Sequence, residues 1–149
     1  MMYDLSSLRV NVLGTEDEVE SPESPLKLEN LFEFIRINYP KVDRIGIDSV
    51  VPLAIAYSDD QVFRAELFRF MMNLKKMGAT TVFTTETAYS SNDTSRFGME
   101  DFLADSVTLF RVREEWGRQV KVHKMRGSSH MRNFVDYDIS AKGIKVMYK

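Results

Sequence analysis

Three observations predict an α/β fold whose first part is a parallel sheet and whose last part is antiparallel. Two apolar runs, 42–48 and 79–85, flank the strongest helical stripe in the chain. Strand, helix, strand is the order that calls for a crossover, and hence a parallel pair. The strand-like runs after residue 106 are separated by short turns, which suit antiparallel neighbours. Ligands of such sheets sit at the carboxyl ends of the parallel strands, which puts Asp48, Glu86 and the loop after Thr85 on one rim.

Each element has its own signal. Residues 8–12 alternate apolar and polar and read as a short strand. Residues 14–24 carry Glu16, Asp17, Glu18, Glu20 and Glu23 and read as a surface loop. Ser24 and Pro25 look like a helix start, serine as N-cap and proline at the first helical position. Leu28, Leu31, Phe32 and Ile35 then share one face, up to Pro40. Val42, Ile45 and Ile47 mark a buried strand closing in Asp48 and Ser49. After a loop with Pro52, a helical stripe of Phe63, Leu67, Phe70, Met71, Leu74 and Met77 runs to its stop at Gly78. Residues 79–85 form the second strand, and 88–97 a polar loop. One or two helical turns are expected over 98–103, then strands over 106–112 and 119–123. The runs 134–139 and 143–147 close the chain as a hairpin or edge pair.

Composition excludes several classes of function. With 149 residues, 44% apolar and 28% charged, the chain is long enough for one domain with a real core. A net charge of −2 gives no global attraction to nucleic acid or anionic membrane, so any basic site must be local. The absence of cysteine excludes disulfides, thiolate metal sites and cysteine nucleophiles. Two histidines, His123 and His130, with no HExxH-like pair argue against zinc. No apolar run approaches a membrane span, and the N-terminus lacks a basic-then-apolar signal. A cytoplasmic protein is expected.

The most informative local feature is Lys124 and Arg126. Alternate side chains of a strand point to one face, so the two cations project together, and Gly127 lets the backbone turn just beyond them. Lysine supplies a point charge and arginine a planar fork of donors, a combination suited to phosphate. On spacing alone, solvated charges on an exposed strand are the commoner outcome. The remainder of the chain raises the phosphate reading.

Four runs carry a family resemblance: RIGIDSVVPLA at 44–54, RAELFRFMMNLKKMGATTVFTTE at 64–86, RFGMEDFLADSVTLFR at 96–111 and KVHKMRGSSHM at 121–131. In this order and spacing they resemble the second half of a KaiC-like domain, of the RecA superfamily of ATPases, from about Leu8 to the end of the chain. The resemblance implies a partial RecA-like domain over 1–149: a mostly parallel central sheet flanked by helices, plus a C-terminal antiparallel hairpin. It implies ATP and Mg²⁺ as ligands. Asp48 matches the Walker B aspartate that holds Mg²⁺ through water; a capping role at a strand exit is the other reading. Lys124 and Arg126 match residues that reach across a subunit boundary to the γ-phosphate of the neighbouring site. Met125, Ser128 and His130 match positions lining the same nucleotide, and Ser140 a further contact. The contact that follows is an aspartate in the clock proteins and Ala141 here. Glu86 stands where related ATPases sense the γ-phosphate, with loop or cap hydrogen bonding as the alternative.

Two departures shape the functional expectation. A P-loop needs G-x-x-x-x-G-K-[ST], and the chain has no Gly-Lys dipeptide. The family's P-loop and the catalytic glutamates after it would fall upstream of Met1, so the chain resembles the C-terminal, Walker B portion of an ATPase domain and is expected to be inactive alone. At Glu100 and Asp101 the chain lacks the Ser/Thr of the clock kinase's phospho-accepting half, so no autokinase site is expected. In the RecA arrangement the P-loop strand would lie between 79–85 and 106–112. Its loss leaves strand edges unpaired, at about 1–3 kcal/mol for each unsatisfied buried group, which favours self-association.

The expected function is therefore a regulatory KaiC-like ATPase module that assembles with itself, or in a ring with a P-loop-containing homologue. The alternative is a catalytically inactive interaction or scaffolding module derived from such an ATPase. Nucleic-acid binding has little support, because the 87–96 loop offers one Arg and one Tyr.

Overall fold

The computed structural model describes residues 27–87, 96–114 and 117–147. They fall into two compact units, one within Met1–Ser91 and the other within Asn92–Lys149. The expected strand at 8–12, the acidic loop, the Ser24–Pro25 start signal and most of the polar loop lie outside the described residues. Among the described residues, no helix is long and apolar enough to cross a membrane.

The first unit contains α1 (Leu28–Asn38), β1 (Arg44–Ile47), a 3₁₀ turn (Pro52–Ala56), α2 (Asp60–Lys76) and β2 (Thr80–Phe83). As the strand–helix–strand order requires, β1 and β2 pair in parallel, from Arg44↔Thr80 to Ile47↔Phe83. Four of the six residues in the helical stripe of α2 are buried, and Phe63, Leu67, Phe70 and Leu74 join Leu28, Leu31, Ile47 and Val50 in the core, while Met71 and Met77 are half-buried. Gly78 ends the helix at φ +81°, a conformation that a Cβ disfavours. One expectation differs. Among the described residues, the strands read as buried are covered on one face: Ile47 is buried, while Arg44, Gly46 and Thr80 are exposed and Val82 is 66% exposed. Parallel sheets ordinarily have both faces covered. Here α1 and α2 supply one layer.

Two polar contacts fix the helix starts. Asp59 caps α2, its carboxylate accepting from the Gln61 N–H at 2.6 Å. Asp59→Ala is expected to cost about 1 kcal/mol, seen as a lower urea midpoint at unchanged slope. An unmoved midpoint would mean that water replaces the cap without loss. At α1 the cap-position residue, Lys27, makes no side-chain capping bond among the described residues; the Leu28 N–H donates to the Tyr57 hydroxyl at 2.8 Å. Burial pushes the Tyr57 phenol above its usual pKa; the Leu28 N–H partly offsets this, and the Glu66 and Glu29 carboxylates add to it. The folded state thus holds the proton more tightly than the unfolded chain. This stabilisation is complete below the ordinary tyrosine value of about 10 and is lost as pH rises through the folded value. Urea melts between pH 8 and 11 are expected to show a loss of stability that begins near pH 10 and is reduced in Tyr57→Phe.

The second unit contains the single-turn α3 (Glu100–Leu103) and the strands β3 (Ser106–Arg113), β4 (Gly117–Met125), β5 (Val135–Ser140) and β6 (Gly143–Met147). They form one antiparallel sheet in sequence order. The C-terminal hairpin is present, closed by Ser140↔Gly143, and β3 and β4 extend it to four strands. Ser106–Arg113 therefore pairs with the strand that follows it, and it belongs to a different sheet from β2. Register places Phe110, Val120, Val135 and Tyr137 on one apolar face, where the Phe110 and Tyr137 rings meet edge-on at 5.5 Å. The other face carries a polar ladder: Arg111 donates to Gln119, and Gln119 to Asp136. Phe134 takes the Arg111 guanidinium over its ring at 3.4 Å and the Lys121 ammonium at 4.8 Å.

Candidate functional site

The cation pair is built by α3, β3 and β4 together. The β3–β4 ladder reaches Ser106↔Met125, with a register shift between Val107 and Thr108 that leaves His123 as the extra residue of a bulge. One further bond, Arg126 N–H to the Asp105 carbonyl at 2.9 Å, sets Asp105 opposite Arg126. Gly127 turns the chain away at φ +71°. Helix α3 ends just before β3, and a single helical turn leaves its last carbonyls without intrahelical partners. The cations occupy them. Lys124 Nζ donates to the Asp101 carbonyl at 2.5 Å and lies 3.5 Å from the Phe102 carbonyl. Arg126 Nη2 donates to the same Phe102 carbonyl at 2.8 Å, and its Nη1 pairs with Asp105 Oδ1 at 2.9 Å.

The expectation that the two cations share a face is met, because both reach one oxygen. Lys124 is half-buried and Arg126 exposed. His123 Nε2 lies 3.9 Å from Asp101 Oδ2. Met125 is exposed in the register position between the cations. Ser128 and His130 follow in the turn beyond Gly127; the Ser128 hydroxyl donates to the Ser129 carbonyl, and His130 Nδ1 lies 3.4 Å from the Ser128 carbonyl. His130 Nε2 is buried without a hydrogen-bond partner among the described residues. Ser140 is not part of this cluster. The registers Gln119↔Asp136 and Val120↔Val135 run β5 back towards the Gly117 end of β4, away from Lys124. There Ser140 Oγ accepts from the Lys142 N–H and donates to the Gly143 carbonyl, closing the β5–β6 turn.

In the first unit Asp48 leaves the carboxyl end of β1. The parallel ladder continues one step past its last pair, with Thr84 N–H to the Ile47 carbonyl at 3.0 Å and Val50 N–H to the Thr84 carbonyl at 3.1 Å. This places the Thr84 hydroxyl beside Asp48, and it donates to Oδ1 at 2.5 Å. Asp48 is exposed, and the Asp48–Ser49 peptide is cis. Glu86 is exposed three residues past β2. Thr84 and Asp105 went unread as site residues in the sequence, although each is the immediate partner of a candidate.

The family profile described as "ATPase: KaiC" matches residues 6–149. The chain belongs to the KaiC family of ATPases. It is 37% identical over 118 residues to the circadian clock oscillator protein KaiC of Synechococcus elongatus, covering 74% of this chain and 23% of that protein. It is 37% identical over 106 residues to KaiC of Acaryochloris marina (69% and 20%). Against KaiC of Thermosynechococcus vestitus it is 36% identical over 109 residues (71% and 21%). The chain thus spans about a fifth to a quarter of the length of these KaiC relatives. An α/β chain with a short parallel sheet, flanking helices and antiparallel C-terminal strands fits a partial RecA-like domain of this family.

Proposed function

We propose that this KaiC-family chain is a regulatory ATPase module that lends Lys124 and Arg126 to the γ-phosphate of ATP bound by a neighbouring subunit. The observation that carries this reading is the meeting of both side chains on the Phe102 carbonyl, at 3.5 and 2.8 Å. Two cations held side by side at one strand end match a terminal phosphoryl group. Lysine offsets charge, and arginine offers N–H donors in a plane. Neutralising charge that develops on the phosphoryl oxygens is the service that a trans-acting arginine performs. In this reading the subunit that binds the ATP supplies the P-loop cradle and the general base, and this chain supplies the two cations. Met125, Ser128, His130 and Ser140 are proposed as further nucleotide contacts, with Ser140 at a separate position.

Asp48 is proposed to hold magnesium. Its Oδ1 is oriented by Thr84, while Oδ2 has no partner among the described residues. An exposed carboxylate at a parallel strand end fits a hard cation. Among the described residues no three acidic or histidine side chains gather into a cage, so Asp48 would act singly, through water. Magnesium would supply charge neutralisation beside the phosphates. Glu86, on the same rim, is proposed as the residue that responds to the γ-phosphate.

The test is to add the chain to a P-loop-containing KaiC-family protein whose own Lys/Arg pair has been removed, and to follow ATP hydrolysis and co-assembly by light scattering. Restored hydrolysis in a mixed assembly is expected. A mixture that neither assembles nor hydrolyses would end the trans-acting reading. The second reading, a scaffolding module, is favoured by the exposed apolar residues Phe110, Val112, Ile139 and Ile144 in the antiparallel sheet. It expects assembly that is indifferent to Lys124 and Arg126.

A further inference from the structure

The two cations are already engaged within their own chain, and the nature of the partners is informative. Lys124 is held by main-chain oxygens, which carry no net charge. Arg126 has a carbonyl on Nη2 and the Asp105 carboxylate on Nη1, one oxygen to one nitrogen rather than a two-pronged fork. The pair stands in water: the Arg126 side chain is 52% exposed and that of Asp105 60%. Asp105 arrives there by register, as the cross-strand neighbour of Arg126. The other carboxylate at this end, Asp101, faces His123.

We propose that Asp105 is a built-in stand-in for phosphate: it occupies Arg126 beside Lys124 until a more highly charged anion takes its place. This rests on the phosphate-gripping role proposed above for the pair. Three features make the exchange easy. An exposed ion pair such as that of Arg126 with Asp105 is worth about 0–1 kcal/mol, so it yields to a polyanion. The Phe102 carbonyl retains Arg126 Nη2 while Nη1 changes partner, which keeps the guanidinium next to Lys124 throughout. Finally, a carboxylate presents the same oxygen acceptors as a phosphate but fewer of them and less charge, so the cations are arranged for phosphate before it arrives. Asp105 thereby weakens anion binding by a small factor, which the extra charge of a polyphosphate offsets more fully than a singly charged anion does.

The experiment uses the full chain and inorganic tripolyphosphate, followed by ¹⁵N NMR of backbone and arginine side-chain resonances. Asp105→Asn keeps an acceptor for Arg126 and removes the competing charge. It is expected to bind tripolyphosphate roughly three- to five-fold more tightly than the parent at low ionic strength. The gain should shrink towards unity as salt is raised. Asp138→Asn, which deletes the same charge from an exposed position on β5, controls for net charge and is expected to change affinity little. The gain should vanish in the Arg126→Ala background. Equal or weaker binding by Asp105→Asn, with binding still lost in Lys124→Ala/Arg126→Ala, would overturn the stand-in role and leave the phosphate role intact. Binding that ignores Lys124 and Arg126 altogether would overturn both.

Discussion

Replacing Lys124 and Arg126 together with alanine is expected to abolish trans-stimulated ATP hydrolysis, lowering the rate by roughly 10³-fold or more, the scale of an arginine finger. The magnitude follows from where the charges would act. A guanidinium that meets developing negative charge away from bulk water contributes far more than the same group in a surface ion pair. The change should leave the fold unharmed. Arg126 is exposed, and the Phe102 carbonyl that both cations release is exposed as well, while the Asp101 carbonyl that Lys124 releases is half-buried. Thermal melts of parent and double variant should therefore overlay within about 1 kcal/mol. Arg126→Lys separates charge from geometry: it keeps the cation, loses the fork and should recover only part of the rate. A double variant that stimulates as well as the parent would leave scaffolding as the surviving reading.

What was legible in the sequence depended on periodicity. The α2 stripe repeats every three or four residues and ends at a glycine; four of its six residues, Phe63, Leu67, Phe70 and Leu74, are buried, and Met71 and Met77 sit half-buried at its edge. The period of two in β4 correctly placed Lys124 and Arg126 together. Long-range pairing was not legible. Asp105 and Arg126 are 21 residues apart, and the bulge at His123 shifts any register counted back from the Arg113↔Gly117 end by one. A count from that end without the bulge places Asp105 opposite the wrong residue. Thr84 escaped notice for a similar reason: its tie to Asp48 spans 36 residues and exists only because β1 and β2 are parallel and in register. The half-open sheet was also hidden. Val82 and Thr80 are β-branched whether or not a layer covers them, so residue type could not show that the outer face is exposed. The same holds for Ser140, whose turn-closing bonds depend on the two-residue link between β5 and β6.

Phe63→Ala is expected to be the most damaging single change to stability, at about 3–5 kcal/mol, against a total of about 5–15 kcal/mol for a small domain. Phe63 is 0% exposed. It lies in the first turn of α2 with its ring 5.3 Å from that of Tyr57, and Tyr57 in turn holds the first N–H of α1. Removing the ring thus opens a cavity and loosens the group that starts the neighbouring helix. Little else can compensate. Among the described residues the sheet beneath has two strands joined over four residue pairs, with helices on one of its faces. Phe68, on the same helix and 44% exposed, provides the comparison; Phe68→Ala should cost no more than about 1 kcal/mol. Hydrogen exchange of the α2 amides would separate the two variants, with protection collapsing in Phe63→Ala and nearly unchanged in Phe68→Ala. Because Ile47 belongs to the same core and immediately precedes Asp48, loss of that core should also free Asp48 from Thr84. Equal exchange in the two variants would show that α2 is held by something other than its buried face, and the packing account of the first unit would then fail.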